Sequence, residues 1–181
     1  PAKVTAEAIK DVRSLSLSFP IPSQRENYRT KPTSYIANLL GHEGPGSLFD
    51  VLKKNGLADS LSAGIGMDTG ENATLDISIA LTPEGLSRHG EILPLVFRYI
   101  DIVREQGISQ QRFEEMQRLA QIDFRFREQG EPVQEAMRLS SQLQDYPADD
   151  ILSAPWLMER YAPDQYRNIL SRLTPDNVMV Y

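Results

Sequence analysis

Apolar residues recur along this chain with two periods, and the points where the period changes mark out the elements. From Val12 to Phe19, Leu15, Leu17 and Phe19 alternate with Ser14, Ser16 and Ser18, which is the period of a strand with one buried face. Pro20 and Pro22 are expected to end it. From Lys31 to Leu40 the apolar positions Tyr35, Ile36, Leu39 and Leu40 take helical spacing, with Pro32 suited to a first turn. A second helical pattern runs from Ser47 to Asn55 through Leu48, Phe49, Val51 and Leu52, and Gly56 is a left-handed stop. Between the two helices lies Gly41-His42-Glu43-Gly44-Pro45-Gly46.

Alternation returns at Leu61, Ala63, Ile65 and Met67, and again at Ala73, Leu75, Ile77, Ile79 and Leu81, with Thr69-Gly70-Glu71-Asn72 between. This predicts a β-hairpin whose first strand, carrying Gly64 and Gly66, is bare on one face. Thr82-Pro83-Glu84 has the cap, first-turn proline and acidic residue of a helix start. Leu86, Leu93, Val96, Phe97, Ile100 and Val103 then predict one long helix kinked at Pro94 and stopped by Gly107. Ser109 is suited to cap a helix striped by Phe113, Met116, Leu119, Ala120 and Phe124 up to Gly130, and Pro132 to open another through Val133, Ala136, Met137, Ser140 and Leu143. Short helices at Ala154 to Tyr161 and Pro163 to Leu173 precede strand character from Asn177 to Tyr181. The order predicts a two-layer α+β fold, a mostly antiparallel sheet with helices packed on one face.

Composition narrows the chemistry. With 181 residues and 40% hydrophobic positions, one domain can bury a sizeable core. Nineteen Lys+Arg against 25 Asp+Glu give a net charge of −6, which argues against nucleic acid or an anionic membrane as partner. No segment has the run of about 20 apolar residues that a membrane span needs. The absence of cysteine excludes disulfides, thiolate zinc sites and Cys nucleophiles, and it leaves the compartment open. The chain opens at Pro1 without an initiating Met or apolar leader, as expected of a piece cut from a longer protein.

A helical zinc-peptidase motif needs two histidines one turn apart with a glutamate beside them. The two histidines here, His42 and His89, fall on different elements, so no metal ligand and no catalytic residue is assigned. No serine sits in a nucleophile elbow. Gly41 to Ser47 approaches a phosphate loop but lacks the lysine before the serine, and Glu43 would repel phosphate. Sequence-adjacent acids such as Glu114-Glu115 and Asp149-Asp150 do not face each other on a helix. Tyr28, Tyr35, Trp156 and Tyr161 lack the basic neighbours of base-stacking platforms. Two features remain: the glycine-rich turn, whose plain reading is a helix stop and tight turn, and the glycine-bearing strand, which as an edge strand could accept an extended peptide.

The run Ser34-Tyr35-Ile36-Ala37-Asn38-Leu39-Leu40-Gly41-His42-Glu43-Gly44-Pro45-Gly46-Ser47-Leu48, followed by Leu52-Lys53-Lys54-Asn55-Gly56 and Leu61-Ser62-Ala63-Gly64, resembles the second domain of the insulinase/pitrilysin zinc metallopeptidases. The likeness extends through Leu81-Thr82-Pro83-Glu84-Gly85, Asp123-Phe124-Arg125-Phe126 and Leu173-Thr174-Pro175-Asp176-Asn177-Val178. It implies that residues 1–181 are most of a zinc-free second domain of a larger metalloendopeptidase. The zinc and the hydrolysis would then belong to the catalytic domain of the same parent chain. It implies a role in closing the proteolytic chamber and an exosite that holds the N-terminal end of peptide substrates. Carried over by position, the exosite comprises Gly41 and Glu43 in the turn and Leu61, Ser62, Ala63 and Ile65 on the strand. Ser34 and Asn38 stand where insulin-degrading members carry histidines, and Ala63 and Ile65 where they carry Gly and Gln. A purely structural scaffold packing on the catalytic domain is the alternative, and likeness to bacterial pitrilysins favours a periplasmic location.

Overall fold

A computed structural model describes residues 2–5, 12–128 and 130–181. Among the described residues five strands form one sheet: β1 (Ala2–Lys3), β2 (Ser14–Pro22), β3 (Ala58–Asp68), β4 (Asn72–Leu81) and β5 (Met179–Val180). Their spatial order is β1-β5-β2-β4-β3, antiparallel except for the parallel β1–β5 pair. The expected two-layer α+β architecture is the one observed. Leu15, Leu17, Phe19 and Ile21 of β2 and Ala73, Leu75, Ile77 and Ile79 of β4 are buried on the face that the helices cover. The helices are α1 (Pro32–Leu40), α2 (Leu48–Lys54), α3 (Pro83–Ser87), α4 (His89–Gln106), α5 (Gln110–Arg125), α6 (Pro132–Gln142) and α7 (Pro163–Arg172).

The structure corrects three expectations. Strand β2 runs through both prolines, with Pro20 opposite Thr74 and Pro22 opposite Asn72. The reason is direction. Ser16 exchanges both backbone bonds with Tyr181 (3.1 and 2.9 Å), so the even residues of β2 turn their polar groups away from β4. Neither missing N–H is therefore needed by β4, and Pro20 O accepts from Asn177 Nδ2 at 3.0 Å. The helix expected to run from Pro83 onward is two, α3 and α4, broken at Arg88, whose ψ of 22° is not helical. Ala154 to Tyr161 is a single 3₁₀ turn, Ala154–Trp156, because the following backbone extends to let Glu159 N–H donate to Arg29 O at 2.7 Å. The α6 stripe is helical as expected, but Val133 (68%) and Met137 (69%) face outward.

Helix α3 is set against the chain reversal ahead of β3. Thr82 Oγ1 caps it by accepting from Gly85 N at 2.9 Å and donates to Gly56 O at 2.6 Å. A Cβ on Gly85 would lie 1.9 Å from Leu57 O, a backbone atom that cannot step aside. Gly85→Ala is expected to destabilise by about 3 kcal/mol, lowering Tm by about 6–12 °C in a thermal melt.

Candidate functional site

The alternation of backbone bonds across the sheet fixes what its outer strand leaves free. Because Leu15, Leu17 and Phe19 bond toward β4, their partners Ile79, Ile77 and Leu75 spend their polar groups on β2. The intervening Ser78 and Asp76 then face β3 and pair with Ser62 and Gly64. Leu61, Ala63 and Ile65 are left pointing their N–H and C=O groups off the sheet. Irregularities at Ala58/Ser60 and Ile65/Asp68 bound this regular stretch.

Helix α1 ends beside that edge. Ser34 and Asn38, one turn apart and exposed, form with Gly41 the side of α1 that borders an open groove of about 650 Å³. Leu61, Ala63 and Ile65 of β3 and Met116 of α5 line the same groove. Gly41 adopts φ −86°, a conformation open to any residue, so backbone freedom does not account for it. A Cβ there would be tight only against Ala37 O, at 3.1 Å, and would stand in ordinary contact with Ala63, 3.5 Å from its N and 3.9 Å from its Cβ.

The turn divides into structural and unengaged residues. Ser47 caps α2 by accepting from Asp50 N at 3.1 Å, while the Asp50 carboxylate accepts from Gly46 N at 2.9 Å, a reciprocal cap. The Lys54 ammonium and the Gly46 N–H hold the Asp50 carboxyl below its ordinary range. His42 Nδ1 accepts from Gly44 N at 3.0 Å, its ring lying where a Gly44 side chain would be. Glu43 is exposed, borders the groove and has no hydrogen-bond or ion-pair partner among the described residues.

All six residues assigned from sequence, Gly41, Glu43, Leu61, Ser62, Ala63 and Ile65, thus border one groove, although Ser62 turns its backbone to β4. Leu61 is buried with its side chain in the core, whereas Ile65 is 48% exposed. Met116 was legible only as part of a helical stripe, because nothing local ties α5 to β3. Among the described residues no cluster of three or more His, Cys, Asp or Glu could hold a metal. His89 lies at the start of α4, its Nδ1 2.9 Å from Leu86 O, away from His42. These side chains do not fit a zinc ion.

Residues 2–119 match the family profile described as the peptidase M16 inactive domain, and residues 124–181 match that of the middle or third domain of peptidase M16. The chain is 34% identical over 173 residues to the insulin-degrading enzyme of Drosophila melanogaster, covering 96% of this chain and 18% of that protein. It spans less than a fifth of the curated relatives it matches. The crystal structure of pitrilysin superposes with a TM-score of 0.90 at 29% identity, over 93% of this chain and 18% of that one. The inactive peptidase domain of a putative zinc protease from Bordetella parapertussis shares the fold, with a TM-score of 0.70 at 13% identity over 98% of this chain and 95% of that one.

Proposed function

The chain belongs to the peptidase M16 family, that of the insulinase and pitrilysin zinc metallopeptidases, as its inactive domain, and on that footing we propose that it holds the N-terminal part of peptide substrates along the free edge of β3. In this reading residues 1–181 act as most of the second, zinc-free domain of a larger metalloendopeptidase. They close its chamber against the catalytic domain of the same chain, which supplies zinc and hydrolysis. The observation that carries the reading is the shared groove: an unengaged carboxylate at Glu43, space at Gly41, and outward backbone groups at Leu61, Ala63 and Ile65. An extended peptide satisfies those backbone groups whatever its sequence, and its α-ammonium gives Glu43 a counter-charge. Anchoring one end raises the local concentration of the rest at a distant active centre.

The second reading, a scaffold, draws on a different observation: Leu119, Ile122 and Phe126 of the α5 region and Val133 and Met137 of α6 are apolar side chains left exposed. The two readings separate in a titration of the 181-residue chain with a free-amine peptide and its N-acetylated twin, followed by backbone amide NMR. The groove reading expects shifts at Gly41, Leu61, Ala63 and Ile65, with the free amine binding about five- to tenfold tighter. Glu43→Gln is expected to remove that difference and leave the acetylated peptide unchanged. No shift with either peptide at millimolar concentration would leave the scaffold.

A further inference from the structure

At the far end of the groove, Ser34 and Ile65 also border a second, more enclosed cavity of about 250 Å³ between the start of α1 and the β3–β4 hairpin. Lys31 lines it. Its neighbours there are already committed: Arg25 pairs with Asp145 at 2.9 Å and lies 3.9 Å from Asp68. Asp68 further accepts from Ser23 Oγ at 2.7 Å and Gln24 N at 2.8 Å. The Lys31 ammonium has no hydrogen-bond or ion-pair partner among the described residues, although it is largely buried. Burying an unpaired cation is unfavourable, and burial alone pushes this one down to about 8.

The backbone adds a second cost. Lys31 sits at φ 42°, ψ 55°, the one non-glycine with positive φ among the described residues. A left-handed lysine is disfavoured by roughly 1–2 kcal/mol, where Asn or Gly would fit with less strain. It supplies no cap to α1. A residue that is strained, desolvated and unpaired, facing a cavity continuous with a groove, is arranged for a ligand that arrives from outside.

We propose that the Lys31 cavity is a subsite for an acidic side chain of the peptide that lies on the free edge of β3. The proposal rests on the β3 reading and adds a sequence preference to it. Lys31 and Gly41 flank α1 and stand ten residues apart, about 15 Å at helical rise. An extended peptide covers that distance in about four to five residues. A peptide whose amine lies at Glu43 therefore brings its fifth or sixth side chain to Lys31, or its fourth where the lysine stem reaches back along the groove.

The test uses free-amine peptides carrying Glu or Gln at the fourth, fifth or sixth residue, with dissociation constants measured by calorimetry on the 181-residue chain and its Lys31→Asn variant. Asn suits the left-handed backbone, so the variant keeps the fold and melts no lower than the parent. At one position Glu is expected to bind about five- to tenfold tighter than Gln. In Lys31→Asn that preference disappears while the Gln peptide binds as before. The preference is full between about pH 6 and 7, where the peptide Glu is ionised and Lys31 protonated; it fades as pH rises through about 8 and Lys31 loses its proton, and as pH falls toward about 4 and the Glu is neutralised. Among the cavity's other groups, Tyr146 is pushed up by burial and by Asp145, Tyr28 is pushed up by its hydrogen bond to Asp150, and Asp68 is held low by backbone N–H groups and Arg25 despite burial. Arg25 and Asp145 are bonded to each other. Equal binding of Glu and Gln peptides at all three positions, or a preference that survives Lys31→Asn, overturns the subsite and leaves the β3 reading standing. Failure of every peptide to bind removes both.

Discussion

A chain ending at Asp123 is expected not to fold. The two family profiles meet near this point, at residues 119 and 124, so it looks like a natural boundary. The core crosses it. Met158, Tyr166, Ile169, Leu170, Leu173, Val178 and Val180 are all buried in the same cluster as Leu17, Tyr35 and Ile77. Tyr166 stacks on Tyr35 with centroids 4.4 Å apart, and Tyr181, just after β5, satisfies Ser16 on the far edge of β2. Removing seven such side chains forfeits about 10–20 kcal/mol of burial by area accounting. A typical domain has about 5–15 kcal/mol in all. Residues 1–123 should therefore show no cooperative thermal transition and no near-ultraviolet circular dichroism, whereas residues 1–181 should show both. A cooperative melt of the shorter chain would mean that the profile boundary is also a folding boundary.

That contrast bears on what could be read from residues alone. Strand β4, the cap at Thr82 and the stop at Gly56 (φ 68°) were legible because each depends on neighbours a few positions away. The persistence of β2 through Pro20 and Pro22 was not, because it depends on which side of the strand β4 occupies. The turn from Gly41 to Gly46 and the glycines of β3 stood out as residues that packing does not explain, while the particular set on β3 came from family resemblance. That Leu61, Ala63 and Ile65, and not Ser62, turn their backbone outward required the register of three strands. Lys31 escaped notice for a related reason: no pattern of side chains marks a lysine whose backbone is left-handed.

The sharpest test of the groove is at Gly41. Because φ −86° suits any residue, a side chain here is expected to leave the fold intact, at a cost of about 1 kcal/mol or less. The tightest contact of a Cβ, 3.1 Å to Ala37 O, asks for an adjustment of a few tenths of an ångström. What changes is the edge. An alanine methyl would stand 3.5 Å from Ala63 N, in ordinary contact, and would partly cover it. The two further methyls of valine would fill the space through which a peptide carbonyl reaches that N–H. Gly41→Ala is thus expected to weaken peptide binding by a few-fold, and Gly41→Val by about 10- to 100-fold, the worth of one or two backbone hydrogen bonds and the contacts that accompany them. Calorimetric titration of both variants, beside their melting curves, reads the two quantities separately. Undiminished affinity in a well-folded Gly41→Val would show that the peptide does not use Ala63, and with it that the free edge of β3 is not where the substrate lies.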